Sequence, residues 1–310
     1  MNDKYFDIIT LALKNDCEVR EREPLSAHCT FRVGGDCDVF IEVASKQALC
    51  ELISYADESD VRYFVLGNGS NVLFSDEGYE GVILHIGQKM NDIRLDGEGR
   101  ITAQAGASLS RVCSFALENS LTGLEFAYGI PGYVGGAVFM NAGAYGGEIK
   151  DVFVSAEVVA PDGELQTIDL ADMEMAYRYS KLMKSGSIVV SAAFALAKGD
   201  KAQIKAKMDE LMGKRKAKQP IEFPSAGSTF KRPEGQFAGA LIEQSGLRGY
   251  SVGCACVSEK HCGFVINKGG ATSKDIRQVI KDVQKIVQEK TGFFLETEVR
   301  YIPVREGDEL

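Results

Sequence analysis

The sequence has 310 residues, 45% of them hydrophobic, which supports a substantial core and exceeds what one core usually organises, so two or three packed units are expected. Its 35 basic and 44 acidic residues give a formal charge of -9, which argues against tracking nucleic acid or coating an anionic membrane; an anionic ligand needs a local basic pocket. No run approaches the roughly 18 apolar residues of a membrane span and the mixed-charge start lacks a signal peptide's layout, so the chain reads as cytoplasmic, with no obligate protein partner evident.

Strand and turn are expected over Val33–Val43, followed by a helix over Ser45–Ser59 with Leu49, Leu52, Ile53 and Ala56 at helical spacing. The β-rich Val61–Leu66 drops into the polar loop Gly67–Asn71, and strand-like sequence resumes at Val72–Phe74 and Val82–Ile86. A second part opens with strand Ile101–Ala105 and helix Leu109–Glu118, then turns glycine-dense from Gly123 to Gly147. Val152–Ala160 and Gln166–Leu170 flank the turn Pro161-Asp162-Gly163 as a hairpin, and Ile188–Leu196 supplies another strand.

A lysine-rich helix over Asp200–Lys218, with Ile204, Met208, Leu211 and Met212 on one face, leads into a C-terminal part. There a loop over Pro220–Gly235, a short helix over Phe237–Gln244 and strands at Val252–Val257 and Gly263–Asn267 are expected. A long amphipathic helix starts at Ser273, with Ile276, Val279, Ile280, Val283, Ile286 and Val287 buried, and a final strand spans Phe293–Ile302. The eight cysteines show no C-x-x-C pair, so reduced, mostly buried thiols and no metal site are expected, although Cys254, Cys256, His261 and Cys262 lie close together. The ending GDEL is read as a frayed acidic tail rather than a retrieval address.

Two glycine loops carry the functional signal. Gly67-Asn68-Gly69-Ser70-Asn71 offers closely spaced backbone N–H groups and suits a pyrophosphate, yet it fits neither a dinucleotide fingerprint, which wants glycine where Val72 stands, nor a P-loop; a tight turn is the plain alternative. Gly129-Ile130-Pro131-Gly132-Tyr133-Val134-Gly135-Gly136-Ala137 runs on to Asn141-Ala142-Gly143-Ala144-Tyr145-Gly146. So many small residues let backbone approach a flat ligand, which favours a cofactor site over a helix crossing.

These strings, together with Thr30-Phe31-Arg32-Val33-Gly34-Gly35, make the chain resemble the bacterial UDP-N-acetylenolpyruvoylglucosamine reductases along almost its whole length. The resemblance implies an α+β chain: a two-part p-cresol methylhydroxylase-type FAD-binding domain over residues 1–203, split near 90, then a smaller α+β substrate-binding domain over 204–310. It implies non-covalent FAD, NADPH as reductant and a UDP-sugar substrate. Arg32, the residues of the first loop, and Gly129, Ile130, Pro131, Gly132, Gly135, Gly136, Ala137, Asn141, Gly143 and Ala144 would bind the cofactor. His28 and Cys29 raise the thought of a covalent flavin link, which the family does not use.

The reaction so implied passes hydride from NADPH through the flavin to the enolpyruvyl group, after which the adjacent carbon takes a proton. It requires a fixed cation and a positioned acid. Ser228 matches the family's proton donor, Arg178 in Tyr177-Arg178-Tyr179-Ser180 its catalytic arginine, and Glu298 its third catalytic residue; unaided, these would read as a turn serine, a surface salt bridge and a solvated strand face shared with Glu296 and Arg300. Lys214, Arg215, Lys216, Lys218, Lys231 and Arg232 supply local cations for the UDP phosphates; of the helix cluster Lys218 matches a family substrate contact, and His261 and Asn267 match a C-terminal motif. The short span from Phe237 to Phe294 leaves little room for the tyrosine-bearing loop of some members, so the chain resembles the shorter subtype. A flavin oxidase on the same scaffold and a non-catalytic nucleotide-binding protein are the competing readings.

Overall fold

A computed structural model of the chain describes residues 5–305; the first four residues of the N-terminal segment and the acidic tail lie outside the described residues. The chain folds as two compact units, the first comprising 1–21, 39–68 and 81–215, the second 22–38, 69–80 and 216–310.

The first unit holds most of a four-stranded sheet in the order Glu18–Pro24, Asp36–Glu42, Tyr79–His85, Tyr63–Leu66, in which the last two strands run parallel. Alternate residues Val39 and Ile41 pack inward with Leu49, Leu52 and Ile53 of the helix Lys46–Glu58, whose N-terminus is capped by the Ser45 hydroxyl accepting from the Ala48 N–H at 3.1 Å. A helix Phe6–Lys14, unread in the sequence, buries Ile8, Ile9 and Ala12 in the same core. A five-stranded antiparallel sheet follows in the order Leu165–Asp169, Phe153–Val159, Ile188–Ala195, Arg100–Gln104, Ile93–Leu95. The Pro161-Asp162-Gly163 hairpin forms as expected, with Val159 opposite Leu165 and Gly163 at φ +85°.

The second unit carries a three-stranded antiparallel sheet, Ser251–Val252, Ala255–Val257 and Val265–Asn267, covered by the helix Ser273–Thr291. Two expectations fail here. Val252–Val257 is not one strand, because Gly253 sits at φ +54°, where a Cβ would lie 2.6 Å from the Asp275 carboxylate, so the chain turns back on itself. Nor is Phe293–Ile302 one strand: Arg300–Ile302 pairs parallel to Val72–Phe74, Thr297 makes an isolated bridge to Phe230, and the N–H groups of Glu298 and Val299 both reach the Thr229 carbonyl, at 2.8 and 3.5 Å. That shared acceptor breaks the alternation that would have put Glu296, Glu298 and Arg300 on one face.

The long helix has every first-turn donor answered. Asp76 accepts from the N–H groups of Ser273 and Lys274 at 2.7 and 2.9 Å, Thr272 and Asp275 form a reciprocal capping box, and Gly292 closes the other end at φ +78°. Replacing Thr272 with Ala is expected to lower stability by about 1 kcal/mol, read as a denaturation midpoint that moves at unchanged slope.

Candidate functional site

In the first unit the two glycine loops are tied by the protein's own atoms. The Asn68 side-chain amide donates to the Pro131 carbonyl at 2.7 Å, and a Cβ at Gly67 would stand 3.7 Å from the Tyr133 ring. The stretch beyond is fixed from below: Leu109 N–H donates to the Gly132 carbonyl at 3.0 Å, and the N–H groups of Val134 and Gly135 donate to Ala107 and Ala105, both at 2.9 Å. A short helix, Val134–Phe139, then turns Ala137 into the core, and half-buried Ile130 packs against it.

The glycines divide in a way that residue counting cannot show. A Cβ at Gly135 would come within 3.1 Å of Ala105, at Gly143 within 2.7 Å of the Gly147 carbonyl, at Gly147 within 2.6 Å of Phe126, and at Gly129 within 3.0 Å of the Arg215 stem. Those four make room for the protein itself, so glycine density overstated the ligand's share; exposed Gly136 and Gly146 face open space. Ala144 pairs with Gly147 across the tight hairpin that holds Gly143. Asn141 is fully buried, and its amide is taken up by Glu148, the Ala176 carbonyl and the Lys150 N–H at 3.0, 2.8 and 2.9 Å, which makes it the anchor of this loop.

That anchor reaches the arginine. Ala176 and Tyr179 bond each other across a two-residue turn whose tip holds Arg178 at φ +53°. Its guanidinium donates to the Gly143 carbonyl at 3.1 Å and lies 5.0 Å from the Tyr177 ring centre.

The second unit assembles Ser228 and Glu298. Thr229 is fully buried; its N–H donates to Gly263, its hydroxyl accepts from Val265 at 2.9 Å, and its carbonyl accepts from Glu298. The bridge between Phe230 and Thr297 puts the segments of Ser228 and Glu298 side by side, and Gly227, at φ +76° with open space around it, leaves half-buried Ser228 accessible. Asn71 joins the same group, its amide donating to the Glu298 carbonyl at 3.0 Å and its carbonyl accepting from Arg300 at 3.0 Å. Thr30 donates through its N–H to the Gly69 carbonyl and through its hydroxyl to Ser225 at 2.6 Å, while Arg32 is exposed on a turn at φ +55°. The backbone N–H groups of Asn68, Gly69 and Ser70 have no acceptor among the described residues, which is what a loop cradling a phosphate group requires; the residues present therefore fit a dinucleotide.

The substrate candidates separate. Lys231 pairs with Glu296 at 3.0 Å, and Arg232 stacks 4.5 Å over the exposed Phe237 ring. Lys218 is exposed at the end of its helix, close enough to His261 to bear on its charge. Burial, helped by Lys218, holds the His261 imidazole below its ordinary pKa, so it is neutral at neutral pH and its Nδ1 accepts from the Gly263 N–H at 3.1 Å. Asn267 is buried, with its amide donating to Phe31 at 3.0 Å and accepting from Gly269 and Ala271 at 2.8 and 3.1 Å. No group of three or more histidine, cysteine or acidic side chains that could hold a metal occurs among the described residues, and exposed Cys254 and buried Cys256 sit in different parts of the hairpin. The sequence missed Thr229, whose only outward mark is a second hydroxyl beside Ser228.

An FAD binding domain model matches residues 37–169, and a model of the UDP-N-acetylenolpyruvoylglucosamine reductase C-terminal domain matches 219–302. UDP-N-acetylenolpyruvoylglucosamine reductases of Agathobacter rectalis and Clostridium perfringens are 51% and 49% identical, over 90% and 93% of this chain and 92% and 94% of theirs. The chain belongs to the UDP-N-acetylenolpyruvoylglucosamine reductase family. The crystal structure of the Thermus caldophilus reductase superimposes with a TM-score of 0.79 at 34% identity, covering 93% of this chain and 99% of that one. A BBE-like protein of Physcomitrella patens, 15% identical with a TM-score of 0.50, shares the fold over 62% of this chain. The chain is thus a reductase-family oxidoreductase with an FAD-binding domain, and none of its described helices is long and apolar enough to cross a membrane.

Asn267→Ala is expected to cost roughly 2–4 kcal/mol of stability, since one buried carbonyl and two backbone N–H groups lose their partner. Chemical denaturation reads this directly; unchanged stability with a raised substrate KM would mark Asn267 as a ligand instead.

Proposed function

We propose that the chain reduces the enolpyruvyl group of UDP-N-acetylglucosamine enolpyruvate to give UDP-N-acetylmuramate, in cytoplasmic synthesis of the bacterial peptidoglycan precursor. The reading takes residues 1–203, in two parts dividing near 90, as the FAD-binding portion and 204–310 as the substrate-binding portion. FAD, held without a covalent link and reduced by NADPH, supplies the hydride when bound.

The chain's own residues supply the rest. Hydride addition to an enol ether conjugated with a carboxylate leaves negative charge spread onto that carboxylate, and the new carbanionic carbon must be protonated. Arg178 binds the carboxylate and stabilises the charge, its own orientation fixed by Gly143 and the Tyr177 ring. Ser228 gives its hydroxyl proton to the carbon; an alcohol is a weak acid, but the acceptor is a strong base where water is excluded. Glu298 supports that transfer through hydrogen bonding and charge, and Lys218, Lys231, Arg232 and His261 face the sugar nucleotide, with Asn267 holding the neighbouring loop through Gly269 and Ala271. The observation that carries the reading is the placement of Ser228 and Glu298 on paired segments locked by fully buried Thr229. A fixed acid beside a carboxylate suits protonation of a new carbanion, which an oxidase of hydroxylated substrates does not need.

Ser228→Ala is expected to leave flavin bleaching by NADPH within about twofold of wild type and to slow colour return with the enolpyruvyl sugar nucleotide at least about 100-fold. Anaerobic stopped-flow absorbance separates the two halves, and equal slowing of both would contradict the assignment.

A further inference from the structure

Arg215 stands apart from the cation cluster in which the sequence places it. On the helix Lys201–Lys218 the buried residues are Ile204, Met208 and Leu211, and Arg215 follows Leu211 by one further helical step along the same stripe. Its neighbours behave otherwise: Lys214 pairs with Glu210, and Lys216 and Lys218 are exposed. The Arg215 side chain turns inward across the second glycine loop, where a Cβ on Gly129 would meet its Cδ at 3.0 Å and the Met212 methyl at 3.7 Å. Gly129 is therefore glycine to let this arginine lie flat against the loop.

Arg215 is half-buried, and its guanidinium has no carboxylate or hydrogen-bond acceptor among the described residues, in a chain with 44 acidic side chains. Burial pushes it below its ordinary pKa, with the Tyr145 phenol as the group opposing that shift. A guanidinium nevertheless stays charged at neutral pH, and a phenol does not carry a counter-charge there. A cation partly withdrawn from water with no anion beside it carries a desolvation cost, which an arriving anion offsets. The loop it crosses lies within the matched FAD-binding segment 37–169, and the anionic part of oxidised FAD is its diphosphate, which a guanidinium can hold with two parallel hydrogen bonds.

We propose that Arg215 binds the diphosphate of the flavin dinucleotide, so that the helix leading out of the first unit closes the cofactor site from the side of Gly129. This rests on the flavin reading given above and adds a residue to it.

The test titrates FAD-stripped wild type, Arg215→Met and Arg215→Lys with FAD and with riboflavin, following flavin fluorescence, and separately titrates each FAD-loaded protein with UDP. Methionine keeps an apolar stem against Gly129 and Met212, and melting temperatures of the stripped proteins check folding. Arg215→Met is expected to raise the Kd for FAD at least about 10-fold, Arg215→Lys less, with riboflavin and UDP affinities within about twofold of wild type. An unchanged Kd for FAD overturns the proposal, as does an equal loss for FAD and riboflavin, or a loss confined to UDP. Wild type that takes up no FAD overturns the flavin reading itself and this inference with it.

Discussion

The two glycine loops of the first unit are held to one another by one hydrogen bond, from the Asn68 amide to the Pro131 carbonyl. Each glycine loop is irregular backbone with N–H groups that no strand or long helix satisfies, and such segments hold a shape only when side chains or neighbouring backbone answer them. Asn68 clasps the first loop to the second, and the second rests on backbone bonds to Ala105, Ala107 and Leu109, just past the end of the strand Arg100–Gln104. The core beneath, from Leu49 and Ile53 to Val134 and Phe194, is ordinary apolar packing whose service to function is to keep these loops from relaxing.

The second unit solves a similar problem with Thr229. A hydroxyl, a carbonyl and an N–H on one buried residue tie three segments together, and Ser228, the proposed proton donor, is its immediate neighbour. The bonds that fix this segment thereby fall on Thr229, leaving the Ser228 hydroxyl for the proposed proton transfer. Asn141 plays the same part for the Arg178 turn, and Asn267 for the loop that follows the sheet. All three are buried polar residues whose side chains are hydrogen-bonded to neighbouring backbone, which is how such groups gain specificity without being left unpaired.

What was legible in the sequence follows from periodicity and caps. The helices at Lys46–Glu58 and Leu109–Glu118 carry serine caps and clean apolar stripes, and both appear where expected. The turn at Gly253 was not legible, because its cause is the Asp275 carboxylate more than twenty positions away in the chain. The same holds for the last strand, whose break is imposed by Thr229. Motif strings located the family correctly, yet the meaning of individual glycines was hidden: Gly135 answers to Ala105 and Gly129 to Arg215, contacts that exist only after folding. Arg215 did leave a trace, a charge standing where the stripe Ile204, Met208, Leu211 calls for an apolar residue.

The two glycine loops are thus tied together by the protein's own atoms, with Asn68 as the clasp. The direct measurement is the FAD affinity of stripped wild type against Asn68→Ala, followed by quenching of flavin fluorescence. Tight uptake by wild type, and a Kd raised about 10-fold or more in the variant while its melting temperature without FAD moves little, is the predicted result. Equal affinities in the two proteins, or no uptake by wild type, would contradict it.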